Sequence, residues 1–188
     1  MSKESRRPVK KVTLLRHAKS GWDDPVARDF DRPLNPKGKR AAQRIGQYLR
    51  EQRIDFDHVI ASPAVRVVET VEHLGEGATE KLSPSWDKRL YLGSAASLLD
   101  VIQEADDAYG SLLLVGHNPG LEDLVLMMVP DQPGDAARYQ IEEKFPTASI
   151  AEISVPVDHW KDVRPNSGTI SLLVRPRDLD PALGPDRD

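Results

Sequence analysis

Short apolar runs alternate along this chain with segments of helical periodicity, and this alternation constrains the fold more than any other feature. The clearest run is Ser111-Leu-Leu-Leu-Val115, which is apolar almost throughout and too short for a helix, as expected of a buried central strand. Similar short runs occupy residues 11–15 and 58–61. Strands that alternate with helices predict a three-layer α/β/α sandwich around a mostly parallel sheet.

The helices are predicted from their start signals and their apolar faces. Asn35-Pro36 is typical of a helix start, with asparagine as the N-cap and proline at the first helical position. Ala41, Ile45 and Leu49 then continue at helical spacing. The other predicted elements are, in chain order, a helix over about 64–74, a short strand near Trp86, a helix after Ser94, a helix around 121–128, and strands over 149–155 and 169–174.

Length and composition limit the classes of protein that this chain can be. A chain of 188 residues with 39% hydrophobic content fits one globular domain. The absence of cysteine excludes disulfides, thiolate metal sites and a cysteine nucleophile. A net charge of -4 and the lack of a 20-residue apolar stretch or signal peptide predict a cytoplasmic protein without nucleic-acid or membrane partners.

The charged ends of the chain are expected to lie outside the folded domain. A basic cluster containing Arg6, Arg7, Lys10 and Lys11 marks the N-terminus, and it predicts a flexible, solvated arm over 1–10. After Arg175 the chain is rich in proline and charge, which predicts a loose tail over 176–188. A single domain over 11–175 remains.

Reactive residues follow three of the predicted strands directly. Arg16 and His17 follow the first, Ser62-Pro63 and Arg66 follow the second, and Gly116-His117-Asn118-Pro119 follow the run at 111–115. Ligands of open α/β sheets gather at the carboxyl ends of the strands. We therefore expect these groups to meet at one site.

Two histidines and two arginines at one site suit phosphoryl transfer. The planar forks of Arg16 and Arg66 match phosphate oxygens. The neutral imidazole of His17 is a competent nucleophile at neutral pH, and a protonated His117 would add a donor to the phosphoryl group. His58, His73 and His159 lie in contexts typical of structural or surface histidines.

Four segments, taken together and in this order, resemble the histidine phosphatase superfamily and, within it, the SixA-type phosphohistidine phosphatases. They are Leu-Leu-Arg-His-Ala-Lys-Ser at 14–20, Asp-Phe-Asp-Arg-Pro-Leu-Asn-Pro-Lys-Gly at 29–38, Ala-Ser-Pro-Ala-Val-Arg-Val-Val-Glu-Thr at 61–70, and Val-Gly-His-Asn-Pro-Gly at 115–120. Alanine at position 18 replaces the glycine that is usual in the superfamily. The resemblance implies a phosphoglycerate mutase-like fold and catalysis without metal or cofactor.

The resemblance also implies roles for individual residues. His17 would be the phosphorylated residue, and Arg16, Arg66 and His117 would bind the phosphate. Arg32 matches a residue that lines the site in SixA-type proteins, with Asp29 beside it. A surface ion pair that fixes the loop is an equally good interpretation of Arg32 and Asp29.

The general acid is the least defined part of the predicted site. Asp29 is the favoured candidate and Asp87 the alternative, whereas Asp23 and Asp24 fit less well. The lack of a clear general acid favours a leaving group that departs easily, such as the imidazole of phosphohistidine.

The expected substrate is phosphohistidine on a protein. The 50 residues between Arg66 and His117 leave little room for an inserted cap, so the pocket is expected to be open. A broad-specificity phosphatase of small phosphomonoesters is the alternative, and a non-catalytic phosphate-binding module is the alternative of another class. The partner would be a phosphoprotein or a small phosphorylated molecule, and the oligomeric state is left open.

Overall fold

A sheet with helices on both faces is the framework of the protein. The computed structural model describes residues 8–21 and 28–185. Its strands are β1 Lys10–Arg16, β2 His58–Ala61, β3 Ser85–Trp86, β4 Ser111–Gly116, β5 Ile150–Val155 and β6 Thr169–Val174. Its helices are α1 Pro36–Glu51, α2 Val65–Ala78, α3 Ala95–Gln103, α4 Gly120–Met128, α5 Ala136–Glu143 and α6 Pro176–Leu179. Among these, no helix has the length and apolarity that a membrane crossing requires.

The strand order is β3-β2-β4-β1-β5-β6, and β1 to β4 run parallel to one another. β5 is antiparallel to both of its neighbours, so β6 points the same way as β1. One strand of the six is therefore reversed, which confirms the predicted mostly parallel sheet.

Strand β4 lies at the centre of the sheet and contributes to both cores. Leu112 and Leu114 belong to the apolar cluster formed with α3 and α4, whereas Leu113 and Val115 belong to the cluster formed with α1 and α2. All four side chains are fully buried. Each such side chain contributes about 1.5–3 kcal/mol through burial, which explains why the run is apolar on both faces.

Helix α1 begins as its sequence predicts. The side chain of Asn35 accepts a hydrogen bond of 2.8 Å from the backbone N–H of Gly38, and Pro36 occupies the first turn. Its buried face includes Ala41, Ile45 and Leu49, which confirms the predicted apolar face.

Helices α1 and α2 pack backbone against backbone through glycines. A Cβ atom on Gly46 would collide with the carbonyl oxygen of Leu74, and one on Gly77 would collide with that of Gln43. These contacts leave no space for a side chain at either of the two glycine positions. The pair thus forms a closely packed layer behind the first two strands.

Helix α5 was not predicted from the sequence. Its eight residues bury only Arg138 and Ile141, so the apolar periodicity is too weak to reveal it. Asp135 caps it by accepting a hydrogen bond of 3.0 Å from the backbone N–H of Arg138.

The predictions for the two ends of the chain need correction. Lys10 is not part of a flexible arm but the first residue of β1, and its buried ammonium donates 2.7 Å and 3.1 Å hydrogen bonds to the carbonyls of Tyr109 and Asp107. Residues 176–185 are also ordered rather than loose, because α6 and a 3-10 turn at Pro181–Leu183 pack on α1. Arg6, Arg7 and residues 186–188 lie outside the described residues.

The glycine contacts between α1 and α2 lead to a stability prediction. Gly77→Ala should lower the free energy of unfolding by about 1–3 kcal/mol, because overpacking outweighs the gain in helix propensity. The matched control is Gly110→Ala, where the added Cβ would lie 3.4 Å from its nearest neighbour and should change stability little. Urea titration measures both variants, and equal midpoints would contradict the close packing.

Candidate active site

The three predicted strand ends meet at one edge of the sheet. β4 lies between β1 and β2, and the register aligns Arg16 with Gly116 and Ala61 with Val115. The backbone N–H groups of His17 and Ser62 each donate a 3.0 Å hydrogen bond to β4, to the carbonyls of Gly116 and Val115. The residues that follow these strands are therefore held side by side.

His17 is buried and held in one tautomer. Its Nδ1 lies 2.7 Å from the carbonyl oxygen of Ala18, and a carbonyl only accepts, so Nδ1 carries the proton and Nε2 keeps its lone pair. Burial, with the positive charges of Arg16, Arg66 and Arg32 acting in the same direction, lowers the pKa of His17 to about 4. At neutral pH the imidazole is therefore neutral.

His117 faces His17, with ring centroids 5.2 Å apart. Its Nε2 lies 2.8 Å from the hydroxyl of Ser62, which itself accepts a 3.3 Å hydrogen bond from the backbone N–H of Ala64. A hydroxyl can donate to Nε2 or accept from it, so this contact is compatible with a proton on either nitrogen of the neutral ring. The other nitrogen, Nδ1, is buried and has no hydrogen-bond partner among the described residues.

His117 is neutral in the free protein, whereas the protonated state was expected beside a bound phosphoryl group and stays a prediction. Burial, together with nearby His17 and Arg66, lowers the pKa of His117 to about 3. When the hydroxyl of Ser62 donates to Nε2, the neutral ring carries its proton on Nδ1 and offers a donor to an incoming anion.

Arg16 and Arg66 supply positive charge at the same site. Nη1 of Arg16 donates a 3.0 Å hydrogen bond to the carbonyl of Phe145, and Arg66 donates through Nη1 and Nη2 to the backbone and carboxylate oxygens of Asp29, at 2.7 Å and 3.0 Å. Within the described residues, the Nε atoms of both arginines are buried without a partner. Buried unpaired donors around a nucleophile are suited to an incoming anion.

Asp29 is brought to the site, but its environment does not fit the expected general acid. Its carboxylate accepts hydrogen bonds from Arg66, from Nε of Arg32 at 3.0 Å and from the hydroxyl of Tyr91 at 2.9 Å. Partial burial acts to raise the pKa of Asp29, but the hydrogen bonds from Tyr91, Arg66 and Arg32 together hold it below its usual range. An ionised carboxylate has no proton to donate, so Asp29 instead orients the arginines.

Arg32 is linked to the site through its ion pair with Asp29. This pair agrees with the ion-pair interpretation, and the role in lining the site that the resemblance implies stays a prediction. The side chain of Arg32 is only 13% exposed, and its positive charge acts to lower the pKa of His17. Tyr91 was missed by the sequence analysis, although its ring meets His117 edge-on at 5.3 Å and Phe30 at 5.1 Å. An isolated tyrosine in a mixed segment carries no signal of such a position.

Asp87 is a structural residue in this fold. Its side chain accepts a 2.9 Å hydrogen bond from the backbone N–H of Arg89 and caps the 3-10 turn at Lys88–Leu90. Hydrogen bonds from the guanidinium of Arg89 lower the pKa of Asp87, so it too stays ionised. The role of Asp87 as the alternative acid stays a prediction, whereas Asp23 and Asp24 lie outside the described residues.

Glu122 is a carboxyl group that the sequence analysis did not consider. It lies in the first turn of α4, where the side-chain amide of Asn118 lies 3.4 Å from Oε2. Burial, with Asp123 adding to it, raises the pKa of Glu122, while the charge of Arg16 opposes that rise. The pKa of Glu122 is therefore shifted upwards, which is the direction that a general acid requires.

Helix α2 and the loop before β5 position the backbone around the nucleophile. Thr70 accepts a 2.9 Å hydrogen bond from the backbone N–H of Ala18, and Glu69 accepts one of 2.6 Å from that of Leu34. The carbonyl of Phe145 accepts hydrogen bonds from both Arg16 and Asn118. Glu69 and Thr70 fall within a recognised segment, but a backbone carbonyl leaves no trace in the sequence.

A metal site is not apparent in the part of the chain that the structure describes. No group of three histidine or acidic residues there has the arrangement needed to hold an ion. The positive charges of Arg16, Arg66 and Arg32 around His17 also make this edge of the sheet unfavourable for a cation.

Comparisons with known proteins agree with this geometry. Residues 12–91 match the histidine phosphatase superfamily (branch 1). The chain is 36% identical over 164 residues to an uncharacterized protein of Mycobacterium tuberculosis, a match that spans 87% of this chain and 100% of that one. It is 23% identical over 152 residues to phosphohistidine phosphatase SixA of Escherichia coli, spanning 77% and 84% of the two chains.

Solved structures show the same fold. A candidate phosphohistidine phosphatase SixA from Nakamurella multipartitia superposes with a TM-score of 0.78 at 26% identity, covering 89% of this chain and 96% of that one. A phosphoglycerate mutase from Bacillus anthracis superposes with a TM-score of 0.55 at 17% identity, covering 90% and 94%. The second match shows the fold alone.

The burial of the two histidines predicts their titration. In NMR spectra, the ring signals of His17 and His117 should titrate with midpoints near pH 4 and pH 3, well below the ordinary value of about 6.5. The unfolded chain binds these protons more readily, so stability should decrease as the pH falls from about 6.5 towards 4. His17→Gln assigns its signal, and a midpoint near 6.5 would contradict the desolvation of His17.

Proposed function

The chain belongs to the histidine phosphatase superfamily and is of the SixA type, and from this premise we propose that it removes phosphoryl groups from histidine side chains of proteins. The family supports phosphatase chemistry. The observation that carries the proposal is the buried, neutral His17, whose Nδ1 is bound to the carbonyl of Ala18 and whose Nε2 keeps its lone pair. The arginines beside it supply charge for a phosphoryl group.

The first step is transfer of the phosphoryl group to His17. The Nε2 lone pair forms a bond to phosphorus while the phosphorus–nitrogen bond of the substrate breaks. The electron pair of that bond goes to the leaving imidazole, which departs neutral when its other nitrogen carries a proton. Arg16, Arg66 and the Nδ1–H of His117 stabilise the charge on the equatorial oxygens.

The second step is hydrolysis of the phosphohistidine on His17. A water oxygen bonds to phosphorus, the bond to Nε2 breaks, and its electron pair returns to the imidazole. The protons of the water stay with the product phosphate. The hydrogen bond from Nδ1 to Ala18 keeps the ring in the same tautomer throughout, so the enzyme is ready for another cycle.

The carboxylates of the site support an easily departing leaving group. Hydrogen bonds from Tyr91, Arg66 and Arg32 lower the pKa of Asp29, and those from Arg89 lower that of Asp87, so in the free protein neither has a proton for an alkoxide. Phosphohistidine does not need such a proton from the enzyme. A site of this kind thus favours phosphoramidates over alkyl phosphates.

The connection between α2 and β4 supports a substrate on a protein surface. It contains only β3, the short turn at Lys88–Leu90 and α3, with no inserted domain above the strand ends. An open edge of this kind admits a phosphorylated side chain, whereas a small sugar phosphate would find few contacts.

A broad-specificity phosphatase of small phosphomonoesters is the second candidate, and Glu122 is the observation that favours it. The raised pKa of this carboxyl group suits protonation of an alkoxide. The two candidates share His17 as the nucleophile and differ in whether an acid is needed.

The covalent step predicts that His17 can be labelled. Wild-type protein given a fast phosphodonor should form an acid-labile, base-stable phosphate, and His17→Ala should lose both the label and at least about 10³-fold in kcat. His73→Gln is the matched control, because His73 lies on α2 and hydrogen-bonds Glu76. Turnover by His17→Ala at the wild-type rate would overturn the proposed mechanism.

The role of Glu122 predicts which substrate class the protein prefers. A phosphohistidine peptide should be turned over faster than an alkyl phosphomonoester, and Glu122→Gln should change kcat for the peptide less than about threefold. If small esters are the substrates, Glu122→Gln should instead reduce their turnover by about 10²-fold or more. Glu143→Gln, an exposed residue at the end of α5, controls for the loss of charge.

A further inference from the structure

A second concave region adjoins the proposed active site and has no part in the chemistry described so far. It is a cleft of about 490 Å³ between α1, the loop at 144–147 and the C-terminal segment 175–185. Its lining residues are Arg16, Lys19, Lys37, Ala41, Lys144, Pro146, Thr147, Arg175, Pro176, Arg177, Leu183, Gly184 and Pro185. We call it the basic cleft.

Positive charge is concentrated in the basic cleft. Six of the thirteen lining residues are lysine or arginine, and none of those thirteen, all within the described residues, is acidic. The chain as a whole carries a formal net charge of -4, so the charge of the cleft is opposite in sign to that of the whole chain. A recess lined by one sign of charge raises the local concentration of anions.

The wall formed by the C-terminal segment is held by specific contacts. The ammonium of Lys37 donates a 2.6 Å hydrogen bond to the carbonyl of Gly184, and Leu183 packs on an apolar cluster that includes Ala41 and Ala18. The guanidinium of Arg175 pairs with Asp178 through Nε and Nη2, at 3.0 Å and 2.9 Å. The cleft is thus a built feature of the fold, since a loose tail would not make these contacts.

Arg16 connects the basic cleft to the proposed phosphoryl site. Its charge lowers the pKa of His17, and its side chain lines the cleft. Lys144, the residue that follows α5, and Arg177, on α6, are both exposed at the cleft. A ligand that occupies both regions would carry two anionic groups, one at His17 and one among these cations.

We propose that the basic cleft binds a second anionic group of the substrate, a phosphate or a carboxylate carried on the same molecule as the phosphoryl group that is removed. This inference rests on the proposed function for the identity of the first group. In a protein substrate, the second group is the carboxylate of an acidic residue that flanks the phosphohistidine. In a small molecule, the second group is a phosphate at the other end of that molecule.

A binding experiment tests the basic cleft without any turnover. The probes are alkane-1,ω-diphosphonates of four to eight carbons and the alkyl monophosphonates of equal length, with Kd measured by calorimetry on the full chain. Wild-type protein should bind the best diphosphonate about tenfold more tightly than its monophosphonate, since two ion pairs are gained. The chain length at which this preference is greatest reports the separation of the two regions.

Matched variants assign the preference to the cleft. Lys144→Gln with Arg177→Gln removes two charges from the basic cleft and should bring the ratio of the two Kd values to about one. Lys81→Gln with Lys161→Gln removes two exposed charges elsewhere and should leave the ratio unchanged. Equal ratios in wild type and the cleft variant would overturn the proposal, and thermal melting verifies that each variant is folded.

A turnover experiment identifies the source of the second group. A phosphohistidine peptide with glutamates on both sides should have a kcat/KM about tenfold above that of the same peptide with glutamines, and the cleft variant should lose this difference. A preference for an alkyl bisphosphate over its monophosphate, without a glutamate effect, would assign the cleft to small molecules. Absence of both preferences would refute the second anionic site.

The two proposals fail in different ways. Lack of turnover of every phosphohistidine peptide, with diphosphonate preference intact, would refute the proposed function and leave the anionic cleft standing. Turnover of the peptides without any charge preference in either assay would refute the cleft and leave the proposed function standing.

Discussion

The pairing of β4 with both β1 and β2 is the constraint on which the rest of the structure depends. Because all three strands are parallel, their carboxyl ends lie at one edge, and the register aligns Arg16 with Gly116 and Ala61 with Val115. Residues 100 positions apart, such as His17 and His117, are thereby placed with their rings 5.2 Å apart. The apolar run of β4 over 112–115 is the physical cause, because helices cover both of its faces.

Burial and positive charge together decide the chemistry of this edge. Desolvation lowers the pKa of both histidines, and Arg16 and Arg66 reinforce the effect, so a cluster rich in cations contains two neutral imidazoles. The carbonyl of Ala18 places the proton of His17 on Nδ1, and Nε2 of His117 shares a hydrogen bond with the hydroxyl of Ser62. Asp29 balances part of the positive charge and holds Arg66 and Arg32 in place.

Charged residues also dominate the surroundings of the site. The carboxylates of Asp29 and Asp87 both accept hydrogen bonds from arginines. The basic cleft beside Arg16 is lined with lysines and arginines, which favours molecules with a second negative group. Selectivity would then come from anions next to the phosphoryl group rather than from a cap that encloses it.

The sequence by itself determined the order of the strands and of most helices, and it placed His17, Arg16 and Arg66 at or near strand ends, because apolar periodicity and residues at strand ends are local signals. Only the tertiary structure decided the state of Asp29 and Asp87, the position of Tyr91 and the carbonyl of Phe145 beside Arg16. These depend on which groups become neighbours after folding, and a pKa or a hydrogen bond follows from neighbours rather than from residue type. The ordered C-terminal segment was missed for the same reason, since the contacts that hold it on α1, from Lys37 to Gly184 and from Leu183 to the cluster with Ala41, join distant residues.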